Sequence, residues 1–166
     1  MFAGLGARVN TEVKTISFLS RKPKFSPQEQ RQCLAYWAEE LKLQKLLEVE
    51  ENRYIKAARA SRATPASLGK WLQDAKRLSE AASELLKRHS ALSVPNAASE
   101  VYCAWHDRYS SYEAWALAEY QALGRAIAGE KYNTFATADL ALHKERERRK
   151  AERKGKQLLK WRQGDS

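Results

Sequence analysis

Glycine and proline are scarce in this chain, seven and four of 166 residues. That scarcity speaks against a loop-rich or all-β fold, which needs turn residues at short intervals. Only two cysteines occur, Cys33 and Cys103, far apart and both inside apolar helical patterns. A disulfide framework is therefore not expected, and two reduced, buried thiols acting as small hydrophobes are. There is no run of roughly 18 apolar residues, so no membrane-spanning helix is expected. The signatures of catalysis are missing as well: no Gly-rich phosphate loop, no Gly-x-Ser-x-Gly elbow, no His-Glu-x-x-His helix and no Glu-x-x-His pair of the di-iron bundles. Histidine is limited to three positions. His106 stands three residues after Cys103 on one helical face, half of a metal site or of an activated nucleophile, but no further Cys or His supplies the other half. No enzyme activity, cofactor, metal or small-molecule substrate is expected.

The surplus charge of +10 sits at the two ends, through a shortage of acids at the first and a density of cations at the second. Residues 1–25 carry five cations against one acid, residues 26–142 balance 15 against 15, and residues 143–162 carry ten against three. The sequence divides accordingly into a basic amphipathic N-terminal arm (1–25), a neutral helical bundle (26–142) and a basic helical tail (143–166).

What is abundant is Ala, Leu, Glu, Lys, Arg and Gln, which lose little on entering a helix. Helix boundaries are well marked. Ser26-Pro27-Gln28-Glu29 offers an N-cap hydroxyl, a proline at the first helical position and a glutamate that closes a capping box. Thr64-Pro65 and Ser93-Val94-Pro95 mark two more breaks. Gly129 is placed to end a third helix, with Asn133 or Thr134 capping a fourth. In the second helix Leu68, Trp71, Ala75, Leu78, Ala82, Leu85, His89 and Leu92 alternate by three and four, the seam of a bundle. His89 at a seam position reads as a hydrogen-bonded bundle histidine. The third helix continues with Ala98, Tyr102, Trp105, Tyr109, Tyr112, Ala116 and Leu123. Trp115 and Tyr120 lie off that row and serve either a wide core face or a docking surface. In the first helix the expected apolar arc is Leu34, Trp37, Leu41, Leu46, Leu47, Tyr54 and Ala58. Trp37, Trp71 and Trp105 are evenly spaced, but the residues after each do not fit the tetratricopeptide pattern, so the interval reads as the length of a helix and its turn. The expectation is an all-α, antiparallel bundle of about four long helices.

In the fourth helix Phe135, Ala138 and Leu142 form a short apolar face that closes the bundle. The stretch that follows, 143–156, shows no apolar stripe. Glu145 to Arg149 and Glu152 to Lys156 are i,i+4 pairs in the favourable order, so a charged helix projecting from the bundle is expected. Leu158, Leu159 and Trp161 beyond it read as an apolar anchor. The expected contact residues are Lys144, Arg146, Arg148, Arg149, Lys150, Arg153, Lys154, Lys156, Leu158, Leu159 and Trp161. Partner subunits of a larger assembly are the first expectation, with nucleic-acid phosphates or an anionic membrane surface as alternatives.

At the other end, Phe2, Leu5, Val9, Val13 and Ile16 recur at helical intervals, with Arg8, Thr11, Lys14 and Thr15 on other faces. An acid-poor amphipathic start of this kind is what mitochondrial targeting looks like. The expected location is intracellular, mitochondrial on this signal and otherwise cytoplasmic. An amphipathic leader before a basic helical bundle also resembles the membrane-curving BAR-type domains. Glu119-Tyr120 followed by Ala138-Asp139-Leu140-Ala141-Leu142-His143-Lys144 is similar to the later helices of sorting-nexin examples. The resemblance implies a peripheral membrane-binding protein, although helices of about 30 residues span only about 45 Å at about 1.5 Å per residue.

Overall fold

The computed structural model describes residues 25–60, 65–130 and 134–160, with the side chains of 65, 66 and 134–136 outside that description. It contains four α-helices: α1 (Pro27–Ala60), α2 (Pro65–Ser90), α3 (Ser99–Ile127) and α4 (Thr134–Leu158), with a single 3₁₀ turn over Asn96–Ala98. Among the described residues there is no strand. The local signals act as the sequence indicates. Ser26 Oγ accepts the Glu29 N–H at 3.2 Å, and the Glu29 carboxylate accepts the Ser26 N–H at 2.8 Å, a closed capping box. Gly129, with φ of +90°, ends α3 in a Schellman arrangement, the Glu130 N–H reaching the Arg125 carbonyl and the Gly129 N–H that of Ala126.

Contacts between helices set the topology. Arg77 pairs with Glu50 while His89 lies beside Glu40, so α1 and α2 are antiparallel. Lys150 meets Asp107 and Lys154 meets Glu100, so α3 and α4 are antiparallel too. Tyr54 bonds Glu119 and Tyr109 bonds Glu40, which sets α1 and α3 parallel. The result is an up-down-up-down bundle.

The seams of α2 and α3 are largely as expected. Ala75, Leu78, Ala82, Leu85 and His89 are buried from the first, Ala98, Trp105, Tyr109, Tyr112, Ala116 and Leu123 from the second, and Trp115 joins them in the core. Trp115 packs edge-on against Tyr54 and Tyr112, and Tyr120 is partly buried against the same core.

The core face of α1 is a correction. Cys33, Tyr36, Glu40, Leu43, Leu47 and Tyr54 are buried, whereas Leu41 and Leu46 are exposed and Leu34 and Trp37 half-buried. The true row steps by three, four, three and four from Cys33, and it runs through a glutamate. A reading that ranks positions by hydrophobicity rotates the helix away from that row. Cys103 is a second correction, exposed rather than buried, while Cys33 is buried as expected.

The fourth helix departs most from expectation. Its basic half does not project. Ala151 and Leu158 are buried, Gly155 is buried beneath Trp37, and the helix runs unbroken through 142–143, where the sequence changes character. The inner stripe is Thr137, Lys144, Ala151 and Leu158, seven apart, with Leu140 and Ala141 partly buried beside it. Small residues and one lysine take the places of large apolar ones, so hydropathy does not show the stripe. Ala138 and Leu142, expected to close the bundle, face outward, and Leu142 is 67 % exposed. The side chain of Phe135 lies outside the described set.

At Gly155 α4 packs directly against the Trp37 ring of α1. A Cβ there would lie 2.3 Å from Trp37 Cη2 and 2.9 Å from Cζ3. Glycine costs a helix interior about 1 kcal/mol relative to alanine, so on an open helix face Gly155→Ala would stabilise. Here the added methyl must displace an indole packed edge-on against Trp105, with ring centroids 5.8 Å apart. Overpacking of that kind costs about 1–3 kcal/mol. Gly155→Ala is therefore expected to lower the urea midpoint, and a raised midpoint would refute the close packing.

Candidate functional site

Charge on α4 is sorted by face. The cations that point inward are engaged with acids or rings of the bundle. Lys144 Nζ donates to Glu51 at 2.6 Å and stands 3.7 Å over the centre of the Trp115 ring and 5.1 Å over that of Tyr112. A lysine can occupy this half-buried position because its stem packs on aromatic surface and its ammonium meets ring faces and a carboxylate. Lys150 donates to Asp107 at 2.8 Å and to Glu147 at 3.2 Å, and Lys154 to Glu100 at 2.7 Å.

A second group of cations pairs within the helix. Arg148 grips Glu145 with two nitrogens at 2.7 Å and also reaches Glu152, and Arg149 donates to Glu145 at 2.8 Å. The expected Glu145–Arg149 pair is present, but Glu152 is taken by Arg148 rather than Lys156. Hydrogen bonds from Arg148 and then Arg149 hold the Glu145 carboxyl down at about 2. Charge-assisted and bidentate bonds favour the ionised form strongly even near the surface.

What remains faces solvent. Arg146, Arg153 and Lys156 are exposed, and among the described residues they carry no ion pair. With Leu142, Glu145, Arg149 and Glu152 they line one shallow trough along the outer side of α4. Of the expected contact residues, then, Arg146, Arg149, Arg153 and Lys156 come together on an accessible face. Lys144, Lys150 and Lys154 are turned to internal work. Leu158 is 6 % exposed and belongs to the core, so it is not available as an anchor, and Leu159 is half-buried. Trp161 and the N-terminal arm lie outside the described residues.

A polar cluster in the core went unrecognised in the sequence. The Glu40 carboxylate is fully buried and accepts hydrogen bonds from Tyr36 at 3.0 Å and Tyr109 at 2.9 Å. His89 Nε2 lies 3.1 Å from Glu40 Oε2, within ion-pair distance but outside hydrogen-bond alignment, and its Nδ1 has no partner. The imidazole stacks on Tyr102 at 4.6 Å and tilts against Tyr109. Three helices thus meet on one carboxylate: α1 through Tyr36 and Glu40, α2 through His89, α3 through Tyr109. The sequence signal was the step of three and four from Cys33 through Tyr36 to Glu40, in line with a seam histidine on the next helix. Glu40 and His89 are both 0 % exposed, so the carboxylate and the imidazole are closed to solvent and register helices against one another.

That environment acts on the phenols. Burial first, and then the neighbouring Glu40 charge, pushes Tyr36 and Tyr109 well above the usual tyrosine range; burial and then Glu51 do the same for Tyr112. A group whose pKa is raised in the folded state leaves stability intact below its unfolded pKa and removes it as pH rises above that value. Each such phenol then costs up to about 1.4 kcal/mol per pH unit. In an absorbance titration of the seven tyrosines, these three are expected to ionise only as helical circular dichroism is lost. Ionisation of all seven with the helices intact would contradict the burial.

Among the described residues no cluster of three or more His, Cys, Asp or Glu is placed to hold a metal ion, and no helix is long and apolar enough to cross a membrane. Comparison with protein-family models, with curated proteins and with solved structures gives no match.

Proposed function

We propose that this chain is a non-enzymatic helical subunit that binds a partner protein of a larger intracellular assembly through the outer face of α4. The observation that carries the proposal is the sorting of charge on that helix. Its inner cations are spent on Glu51, Asp107 and Glu100, while Arg146, Arg153 and Lys156 stand in an open row that the fold itself does not use. Lone surface ion pairs contribute about 0–1 kcal/mol to stability, so folding has little need for that outer row. Arginine is among the residues enriched at protein interfaces, where its planar fork bonds carboxylates bidentately.

The test is affinity purification of the full chain with lysine-directed crosslinking. Crosslinks to a defined partner are expected from Lys156 and Lys160, both exposed. The triple reversal Arg146→Glu, Arg153→Glu, Lys156→Glu is expected to abolish capture without changing helicity. Capture unaffected by the triple reversal would remove α4 as the contact surface.

The same exposed cations favour one other reading, contact with nucleic-acid phosphates. Three phosphate contacts would give a log affinity that falls with log salt at a slope of about −2.7 on duplex DNA.

A further inference from the structure

The residues lining the α4 trough occupy only three positions of a seven-residue repeat. Leu142, Arg149 and Lys156 form one row, Glu145 and Glu152 a second, Arg146 and Arg153 a third. The buried stripe on the other side, Thr137, Lys144, Ala151 and Leu158, keeps the same period. From Leu142 to Lys156 the helix rises about 21 Å at about 1.5 Å per residue. An ideal helix drifts by only about 20° per heptad, so the three rows stay on one side over that length.

Resting on the reading of α4 as a protein-binding surface, we infer that the trough receives an acidic α-helix of the partner, laid along α4 in heptad register. Three features choose this occupant. A period of seven on one helix is matched by side chains of a second helix, whose contact positions recur at the same interval. The free charge in the trough is all positive, because Glu145 and Glu152 are already held by Arg148 and Arg149 while Arg146, Arg153 and Lys156 are not paired. Leu142, at 67 % exposure, opens the trough with an apolar seat. The occupant therefore carries acidic residues over two heptads and an apolar residue where it meets Leu142. A phosphate backbone fits less well, since it offers no apolar group to the exposed Leu142.

The experiment uses the full chain and two synthetic three-heptad peptides of identical composition, both stapled to be helical. One places its glutamates in heptad spacing with a leucine at one end; the other has the same residues shuffled out of register. Fluorescence anisotropy is expected to show the in-register peptide binding at least about tenfold more tightly than the shuffled one. Its affinity is expected to fall between about 50 and about 200 mM salt, as contacts between exposed charges do. Arg146→Glu with Arg153→Glu is expected to remove binding, and Leu142→Ala to weaken it, with helicity unchanged in both. Equal binding of the two peptides would overturn the inference, leaving charge without register. No binding of either, while capture in the crosslinking experiment still depends on Arg146, Arg153 and Lys156, would overturn the helix and leave the protein-binding reading standing. Tighter binding of a DNA duplex than of either peptide would overturn both.

Discussion

Glu40→Ala is expected to lower the free energy of unfolding by about 2–6 kcal/mol, because two buried phenol donors lose their acceptor at once. The substitution strips the acceptor from Tyr36 and Tyr109 and leaves two phenols and the Nε2 of His89 facing a void. Buried donors left without acceptors each lose their hydration with nothing in return, about 1–3 kcal/mol apiece. Such a loss is a large part of a stability that is typically about 5–15 kcal/mol. Glu40→Gln retains a carbonyl acceptor and the shape of the side chain, and its cost is expected to be smaller. Urea denaturation of the pair decides the matter: a cost below about 1 kcal/mol for Glu40→Ala would mean that the carboxylate does not tie the helices together. A double-mutant cycle with Tyr109→Phe is expected to give a coupling of about 0.5–3 kcal/mol.

Trp105→Ala is expected to cost about as much, about 3–5 kcal/mol for truncation of a buried Trp. Trp105 is 1 % exposed and sits edge-on to Trp37, and the Arg108 guanidinium lies 4.5 Å over its ring. Arg108 is itself buried, which pulls its pKa down, and one of its terminal nitrogens has no hydrogen-bond partner. Removing the indole therefore opens a cavity and also takes away the π-face that the guanidinium rests on. The void would let the Trp37 ring withdraw from Gly155. Gly155→Ala is accordingly expected to cost less in the Trp105→Ala background than in the native chain, a departure from additivity typical of residues that share a cavity. Strict additivity of the two changes would show that Trp37 does not couple α4 to the core.

The first prediction concerns a residue whose burial the sequence did not announce, the second a residue in a seam that it did. Ser26, Pro27, Glu29, Pro65 and Gly129 act within a few bonds of themselves, so the helix limits were legible without tertiary information. The seams of α2 and α3 were legible because they are built from Leu, Ala, Trp and Tyr, residues whose burial is the default. On α1 the buried row contains Glu40, and on α4 it contains Lys144 and Gly155. A carboxylate is buried only when donors from other helices converge on it, and an ammonium only when rings and an acid receive it. No local pattern reports those partners.

The candidate site divides in the same way. Sequence alone placed a dense set of cations at 144–156 and found the Glu145–Arg149 pair, because i,i+4 neighbours are fixed by helix geometry. It could not separate the cations that the bundle uses from those it leaves free. That separation depends on Glu51, Asp107 and Glu100, which approach α4 from other helices, and on the rotation of α4 about its axis.

By itself the sequence determined the four α-helices of the described residues, their ends, and the charge carried by each segment, since these follow from short-range propensity, capping and composition. The tertiary structure decided which face of each helix is inside. Burial of a polar or very small side chain is favourable only against a complementary neighbour, and that neighbour lies 49 to 118 positions away in Glu40 with His89 or Tyr109 and in Trp37 with Gly155.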